Sequence, residues 1–116
     1  MAKTRSFWSW GYEEELPSAE ERAELRSMVS MFTGWSLPEP MAWPTFEADC
    51  LPAPRIGIPA ELAAFTTDDA RQRATRTYGR GFPDIVRGLH GDFSAAPDLV
   101  AQPRSEEEAV SYTHLT

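Results

Sequence analysis

The chain has 116 residues, of which 41% are hydrophobic, so it is long enough for one domain with a modest core. Its 18 acidic and 11 basic residues give a net charge of −7, which argues against a general binder of nucleic acid or anionic membranes, because both need a basic face. Cys50 is the single cysteine, which excludes an internal disulfide and a multi-cysteine metal site and favours a reducing, cytoplasmic location. We expect neither a signal peptide nor a membrane span, because the sequence has no long apolar run.

An aromatic cluster lies near the N-terminus, over residues 7–12, and three glutamates follow it. Alternation along an extended strand would place Trp8, Trp10 and Tyr12 on one side. The favoured interpretation is that these rings dock on a neighbouring part of the protein and fix the N-terminus. The alternative is a platform on which a base, sugar or flavin stacks, but such sites usually have a basic groove beside them.

The clearest predicted helix spans residues 18–33. Ser18 and Glu21 form a capping box, and Gly34 supplies a left-handed stop. Four apolar residues at helical spacing form one stripe, which we expect to pack into a core: Leu25, Met28, Val29 and Phe32.

Residues 35–59 form a linker interrupted by six prolines, which remove backbone donors and prevent a continuous helix. Trp35, Trp43 and Phe46 are the expected anchors that hold this linker over a larger surface. Cys50 has no histidine or second cysteine nearby in sequence, so we do not expect it to act as a nucleophile.

Short helical pieces are predicted over residues 60–93. Pro59 suits the first helical position of one piece, and Thr67 is predicted to cap a second piece that ends near Gly79. A third begins near Phe82, with an apolar stripe on one face: Phe82, Ile85, Val86 and Leu89. His90 is predicted to lie in a surface turn between two glycines, without a metal-binding role.

The same stretch contains the strongest local concentration of positive charge: Arg71, Arg73, Arg76, Arg80 and Arg87. Guanidinium groups bind phosphate oxygens in pairs, so these residues could clamp a phosphate. The favoured alternative is that they pair with acidic neighbours on a solvated face: Asp68, Asp69 and Asp84.

Residues 97–103 predict a short strand bounded by prolines, and Ser105 with the glutamates after it predicts a capped helix. A strand followed at once by a capped helix is typical of the start of an α/β domain.

Three blocks of the sequence resemble one flavoprotein superfamily. Residues 97–108 are similar to the opening strand and helix of the FAD-binding domain in the p-cresol methylhydroxylase and vanillyl-alcohol oxidase superfamily. Residues 7–12 resemble the tryptophan-glycine motif near the start of alkyldihydroxyacetonephosphate synthases and their bacterial FAD-linked oxidase relatives. Residues 69–93, with Arg76, Gly79 and Asp84, resemble the stretch that precedes the FAD domain in those proteins.

The resemblance implies a parent flavoenzyme that binds FAD and carries a separate substrate domain. In the synthase branch the family exchanges an acyl chain for a fatty alcohol to make an ether lipid, and in the oxidase branch the flavin accepts a hydride from a small alcohol or hydroxy acid. The expected partners are the FAD and substrate domains of the same protein, and a homodimeric parent is left open. The family's glycine-rich loop and its catalytic residues have no counterpart here, so no catalytic, cofactor-binding or metal residue is assigned and the chain alone is not expected to bind FAD.

The predicted fold is mainly α with irregular proline-rich segments. A helical lead region covers residues 1–93 and includes the linker 35–59, and residues 94–108 form the first strand and helix start of a truncated α+β FAD-binding domain. Residues 109–116 resemble the translation of a transposase adapter used in sequencing libraries, so this tail is expected to be adapter-derived. The alternative is a small helical interaction module without enzyme activity, which the apolar stripe and the many aromatic residues favour.

Overall fold

A computed structural model describes residues 2–114 of the chain. The described part contains four α-helices: α1 (Ala19–Thr33), α2 (Ala70–Thr75), α3 (Phe82–Leu89) and α4 (Glu106–Thr113). Two short strands, β1 (Thr66–Thr67) and β2 (Val100–Ala101), pair antiparallel with Thr66 opposite Ala101. The expected mainly helical class is confirmed at this level. Every helix within these residues is too short or too polar to span a membrane.

Helix α1 begins and ends as its sequence predicts. The Ser18 hydroxyl accepts a hydrogen bond from the Glu21 backbone N–H at 3.1 Å, and the Glu21 carboxylate accepts one from the Ser18 N–H at 2.8 Å. Both halves of the capping box are therefore present. Gly34 adopts a φ of 73° and donates its N–H to the Ser30 carbonyl, which ends the helix in the left-handed region that glycine tolerates best.

The expected burial of the α1 stripe is wrong. No residue of α1 is buried, and Leu25 and Phe32 are 52% and 80% exposed. The helix is held mainly by the linker, whose carbonyls accept hydrogen bonds from Arg26 and Arg22, and this contact does not cover the apolar face. The periodicity predicted the apolar stripe correctly, but no second element of the described chain packs on it.

The core is built from loops as much as from helices. Its buried members are Phe7, Trp8, Leu51, Ala74, Phe93 and Ala96. Phe7 contacts Phe46 edge to face with ring centroids 5.3 Å apart, and Trp8 lies against Trp43 with centroids 5.4 Å apart. Aromatic pairs at these distances contribute dispersion and quadrupole attraction beyond area burial. The anchoring roles expected for Trp43 and Phe46 are thus confirmed, whereas Trp35 is 67% exposed and anchors nothing.

The N-terminal aromatic cluster is a tight loop and not the predicted strand. The Ser6 N–H donates to the Gly11 carbonyl at 3.0 Å, and Gly11 has a φ of 81°, which reverses the chain. Phe7 and Trp8 are consecutive in sequence and both buried, whereas Trp10 is 68% exposed. The reversal breaks the alternation on which the strand prediction relied. Docking of the N-terminus through its rings is confirmed, with Phe7 and Trp8 as the docked residues.

Three predicted helix boundaries between residues 59 and 79 differ from the structure. Thr67 belongs to β1, and Asp69 caps α2 instead, its carboxylate accepting from the Gln72 N–H at 3.0 Å. Helix α2 ends at Thr75, with Arg76 as its C-cap, and so stops before Gly79. Pro59 is the N-cap of the 3-10 turn Ala60–Leu62 and not its first residue, so this piece begins one residue later than predicted.

Helix α3 confirms the third predicted helical piece, although Phe82 at its start is 79% exposed. Gly88 lies inside this helix and not in the turn that was predicted around His90. His90 caps the C-terminal end of α3 and is exposed, as expected.

The predicted short strand after Pro97 is present as β2, and it has a pairing partner within this chain. Because β2 pairs with β1, its backbone groups are partly satisfied within this chain. Helix α4 is capped by Ser105 as predicted and continues to Thr113, through most of the stretch expected to be an adapter-derived tail. The last two residues of that tail, 115–116, lie outside the described residues.

The molecule is elongated, with a radius of gyration of 18.3 Å and principal extents of 57 × 29 × 22 Å. A compact domain of this length has a radius of gyration of about 13 Å. Its accessible surface is 8319 Å², about 2,000 Å² more than the roughly 6,300 Å² of a compact monomer of the same mass. Helix α1 and its linker account for many of the exposed large hydrophobic side chains.

Candidate functional site

Two surface features are candidates for function. One is a basic cavity of about 440 Å³ between the N-terminal loop and α2, lined by Lys3, Thr4, Arg5, Tyr12, Arg71, Gln72, Thr75, Arg76 and Gln102. The other is an apolar groove of about 440 Å³ along α1, lined by Arg22, Leu25, Arg26, Val29, Leu37, Pro38, Pro40, Met41, Ala42, Trp43 and Leu89. Cavities of these volumes lie in the range of small-molecule and peptide-anchor sites.

The basic cavity is assembled from distant parts of the sequence. The carbonyl of Arg5 accepts a hydrogen bond from the Arg71 guanidinium at 3.3 Å, which ties the N-terminal loop to α2. The side-chain amide of Gln102, just after β2, donates to the Gln72 amide oxygen at 3.2 Å and closes the opposite side. The pairing of β1 with β2 thus brings residue 102 to the cavity, which no local sequence pattern reveals.

The positive charges that line this cavity are only partly balanced. Lys3 pairs with Glu15, and Arg71 pairs with Glu13. Neither Asp nor Glu lines the cavity itself. Among residues 2–114, Arg5 and Arg76 have no carboxylate within ion-pairing distance, and the one side-chain partner of Arg76 is the Thr75 hydroxyl at 3.1 Å.

Arg80 lies near Arg5 and Arg76, close enough for their charges to act on it. Burial lowers the pKa of its guanidinium, and the positive charges of Arg5 and Arg76 lower that pKa further. Its N–H groups donate to backbone carbonyls, including that of Thr75 at 2.5 Å, and not to a carboxylate. Three guanidiniums therefore lie near one another without an acidic partner in the described chain.

The expected pairing of the arginine run with acidic neighbours holds only in part. Arg71 pairs with Glu13, and Arg87 pairs with Asp84 at 2.7 Å, whereas Asp68 and Asp69 form no ion pair within residues 2–114. Arg73 is instead 3% exposed and donates to the carbonyls of Pro97 at 2.7 Å and Pro52 at 2.6 Å. Its planar fork joins the linker and the segment before β2 to α2, a structural role that a count of charges could not predict.

Arg55, which lies in the linker, forms an ion pair that ties the linker to the segment before β2. Arg55 donates to the Asp98 carboxylate from Nε at 3.1 Å and from a terminal nitrogen at 2.8 Å, and its backbone N–H donates to the same carboxylate at 2.9 Å. These hydrogen bonds hold the pKa of the Asp98 carboxyl at about 2, below its ordinary value of 3.8. This pair links residues 43 positions apart.

The apolar groove lies between α1 and the linker segment 37–43. Arg26 donates to the Leu37 carbonyl at 2.6 Å and to the Pro38 carbonyl at 2.7 Å, and the Arg22 guanidinium lies 4.4 Å from the Trp43 ring centroid. These contacts attach the linker to α1 along both sides of the groove. Several large apolar side chains on α1 and beside it are exposed: Leu25, Met28, Met31, Phe32, Trp35 and Met41. We refer to this set as the α1 apolar face.

Cys50 and His90 do not form a chemical site. The Cys50 thiol donates to the Glu47 carbonyl, and burial raises its pKa, which lowers the population of the nucleophilic thiolate. No group of three histidine, cysteine or acidic side chains that could hold a metal ion occurs in the part of the chain that the structure describes.

Comparisons of the chain with protein-family models, with curated proteins and with solved structures found no match. The resemblance to FAD-linked oxidases consequently rests on the three sequence blocks, and the assignment of function rests on those blocks and on the exposed surfaces.

Proposed function

We propose that this chain is the N-terminal lead region of an FAD-dependent flavoenzyme similar to alkyldihydroxyacetonephosphate synthases, and that it binds the FAD and substrate domains of that enzyme through the α1 apolar face. The observation that carries the proposal is this exposed face. Phe32 is 80% exposed and Met31 76% exposed on a helix whose caps are complete. A helix that is well formed but leaves its apolar stripe in water is typical of a docking element.

The size of the exposed surface supports docking on a large partner. The chain exposes about 2,000 Å² more than a compact monomer of its mass. A stable protein interface buries about 800 Å² on each partner, so the excess is sufficient for one such contact. The groove beside Trp43 adds a pocket into which a partner side chain can insert, and anchors of this kind carry much of the energy of an interface.

FAD itself is not assigned to residues of this chain. The glycine pair at 79 and 81 is the one segment reminiscent of a pyrophosphate loop, and its geometry does not fit. The Gly81 N–H donates to the Asp84 carboxylate at 3.1 Å, so a negative charge already occupies the place where an anion would bind. In this proposal the cofactor is held by the remainder of the parent enzyme, and this chain contributes binding surface.

The first experiment is to read the source DNA beyond the codon for Glu108 and to express the longest open reading frame. The proposal expects an in-frame continuation into a glycine-rich loop and a purified protein with the absorption spectrum of bound flavin. A stop codon directly after Thr116 in genuine genomic DNA would contradict it.

The α1 apolar face is then tested in the longer protein with two matched variants. Phe32→Ser should reduce flavin retention or thermal stability, because it removes an anchor from the interface. Phe82→Ser is the control, since Phe82 is also 79% exposed but lies on α3. Equal effects of the two substitutions would refute a specific role for α1.

The second candidate function is a helical interaction module without a cofactor, which the exposed α1 apolar face also favours. The two candidates differ in what the chain does alone. A module of this class folds cooperatively and binds its partner as an independent unit, whereas the lead region of an enzyme self-associates through its uncovered face. Sedimentation of the purified chain over a range of concentrations distinguishes these outcomes when it is combined with the DNA sequence.

A further inference from the structure

The basic cavity is not explained by docking to a flavoenzyme body. It lies at the junction of the N-terminal loop, α2 and the segment after β2, and the residues that line it do not include any from α1. Its positive charge is local, because the whole chain has a net charge of −7. Like charges that cluster in a protein of opposite net charge raise the energy of the folded state unless they serve another purpose.

Some of the cationic side chains that line the basic cavity have carboxylate partners and others do not. Glu15 and Glu13 neutralise Lys3 and Arg71, and no further carboxylate lines the wall. Glu14 also lies beside the cavity, but its carboxylate accepts from the backbone N–H of Thr4 and pairs with neither Arg5 nor Arg76. Within residues 2–114 these two guanidiniums have no carboxylate at ion-pairing distance, so one small anionic group could bind to both of them.

From this geometry we infer that the cavity binds the dianionic phosphate group of a small phosphate monoester, held between Arg5 and Arg76. Guanidinium groups bind phosphate through parallel N–H···O bonds, and two of them can hold one phosphate from opposite sides. The Gln72 and Gln102 amides, joined to each other at 3.2 Å, provide neutral polar contacts beside the charged pair. The cavity volume of about 440 Å³ leaves space for the organic part of a small ester.

The surroundings favour a small molecule over a nucleic acid. Glu13, Glu14 and Glu15 follow Tyr12 directly, and their carboxylates lie around the basic cavity, where they bind Arg71, Thr4 and Lys3. A long polyanion would have to pass these carboxylates, which repel it. A single phosphate group enters the cavity without extending across them. The site is independent of the flavoprotein proposal, because it needs no residue outside this chain.

The test is a titration of the ¹⁵N-labelled full chain with inorganic phosphate and, separately, with glucose 6-phosphate, with sodium chloride adjusted to keep the ionic strength constant. We expect saturable shifts of the Gln72 and Gln102 side-chain amide signals with both ligands. Arg76→Gln and Arg5→Gln should each weaken binding by about tenfold or more, because each removes charge-assisted hydrogen bonds. Arg5 is exposed on the N-terminal segment, so its variant keeps the test valid if Arg76→Gln fails to fold.

The matched control is Arg87→Gln, which removes the same charge from α3, where Arg87 pairs with Asp84 outside the cavity. This variant should bind phosphate as the wild type does. If Arg5→Gln and Arg76→Gln bind no more weakly than Arg87→Gln, the attraction is general electrostatics and the site is refuted. Absence of saturable shifts refutes it as well. Binding of inorganic phosphate without binding of glucose 6-phosphate would overturn the assignment to a monoester.

Discussion

The contact between Gly88 and Trp8 yields the sharpest prediction about packing. A Cβ atom built on Gly88 would lie 3.0 Å from the Trp8 Cβ, 3.2 Å from its Cα and 3.2 Å from its carbonyl oxygen. Non-bonded carbon atoms prefer separations of about 3.5–4.0 Å, and two of these neighbours are backbone atoms that cannot rotate away. Gly88→Ala therefore forces the N-terminal loop away from α3.

Two opposing effects set the magnitude. Alanine is favoured over glycine inside a helix by about 1 kcal/mol. Overpacking a buried contact costs about 1–3 kcal/mol, and contact with backbone places this site at the upper end of that range. The expected result is a net loss of about 1–2 kcal/mol in the free energy of unfolding, despite the gain in helix propensity.

The assay is urea denaturation followed by tryptophan fluorescence. Trp8 is buried, and its ring centroid lies 5.4 Å from that of Trp43, so its emission should change when the N-terminal loop leaves α3. The control is Gly57→Ala, where a Cβ meets nothing within 4 Å, and which should be neutral or stabilising by up to about 1 kcal/mol. If Gly88→Ala is as stable as the wild type or more stable, the loop does not pack on α3 as described.

Three further predictions concern buried hydrogen bonds, pH and capping. Arg73→Met removes two charge-assisted hydrogen bonds, from the buried Arg73 guanidinium to the Pro97 and Pro52 carbonyls, and should lower the free energy of unfolding by about 2–4 kcal/mol in the same urea assay; wild-type stability would contradict its bridging role. The pKa of Asp98 is about 2 in the folded state, below its ordinary value of 3.8. Its ion pair with Arg55 therefore contributes fully to the stability of the fold above pH 3.8, and this contribution is lost as the pH falls through 2. Asp98→Asn should remove that acid dependence from stability measured between these pH values, and an unchanged pH profile would argue against the pair. Ser18→Ala should cost helix α1 about 1 kcal/mol and reduce ellipticity in far-ultraviolet circular dichroism, whereas unchanged ellipticity would mean that the cap is dispensable.

Local interactions made part of the fold predictable. The start and end of α1 follow from Ser18, Glu21 and Gly34, because a capping box and a left-handed glycine each act within one turn of helix. The helical periodicity of residues 82–89 likewise predicted α3. The irregular linker followed from its prolines, which restrict the backbone wherever they occur.

The errors occurred where distant residues compete with local patterns. Alternation predicted a strand through Trp8, but the hydrogen bond from Ser6 to the Gly11 carbonyl closes a loop and buries two consecutive rings. The α1 stripe has the correct period for core packing, yet period alone does not specify which surface, if any, covers it. The pairing of β1 with β2 joins residues more than 30 positions apart, and strands of two residues leave no sequence pattern to detect.

The candidate phosphate site also depends on features that local sequence predicts and on others that only the tertiary structure reveals. The sequence by itself determined the charges, both ends of α1 and the capped start of α4, since these depend on residue types and near neighbours. Only the tertiary structure decided that Arg73 is buried on carbonyls and that Arg5 and Arg76 share one cavity. The physical reason is that charge and hydrogen-bonding capacity belong to a residue, whereas the partner that satisfies them depends on how the whole chain closes on itself.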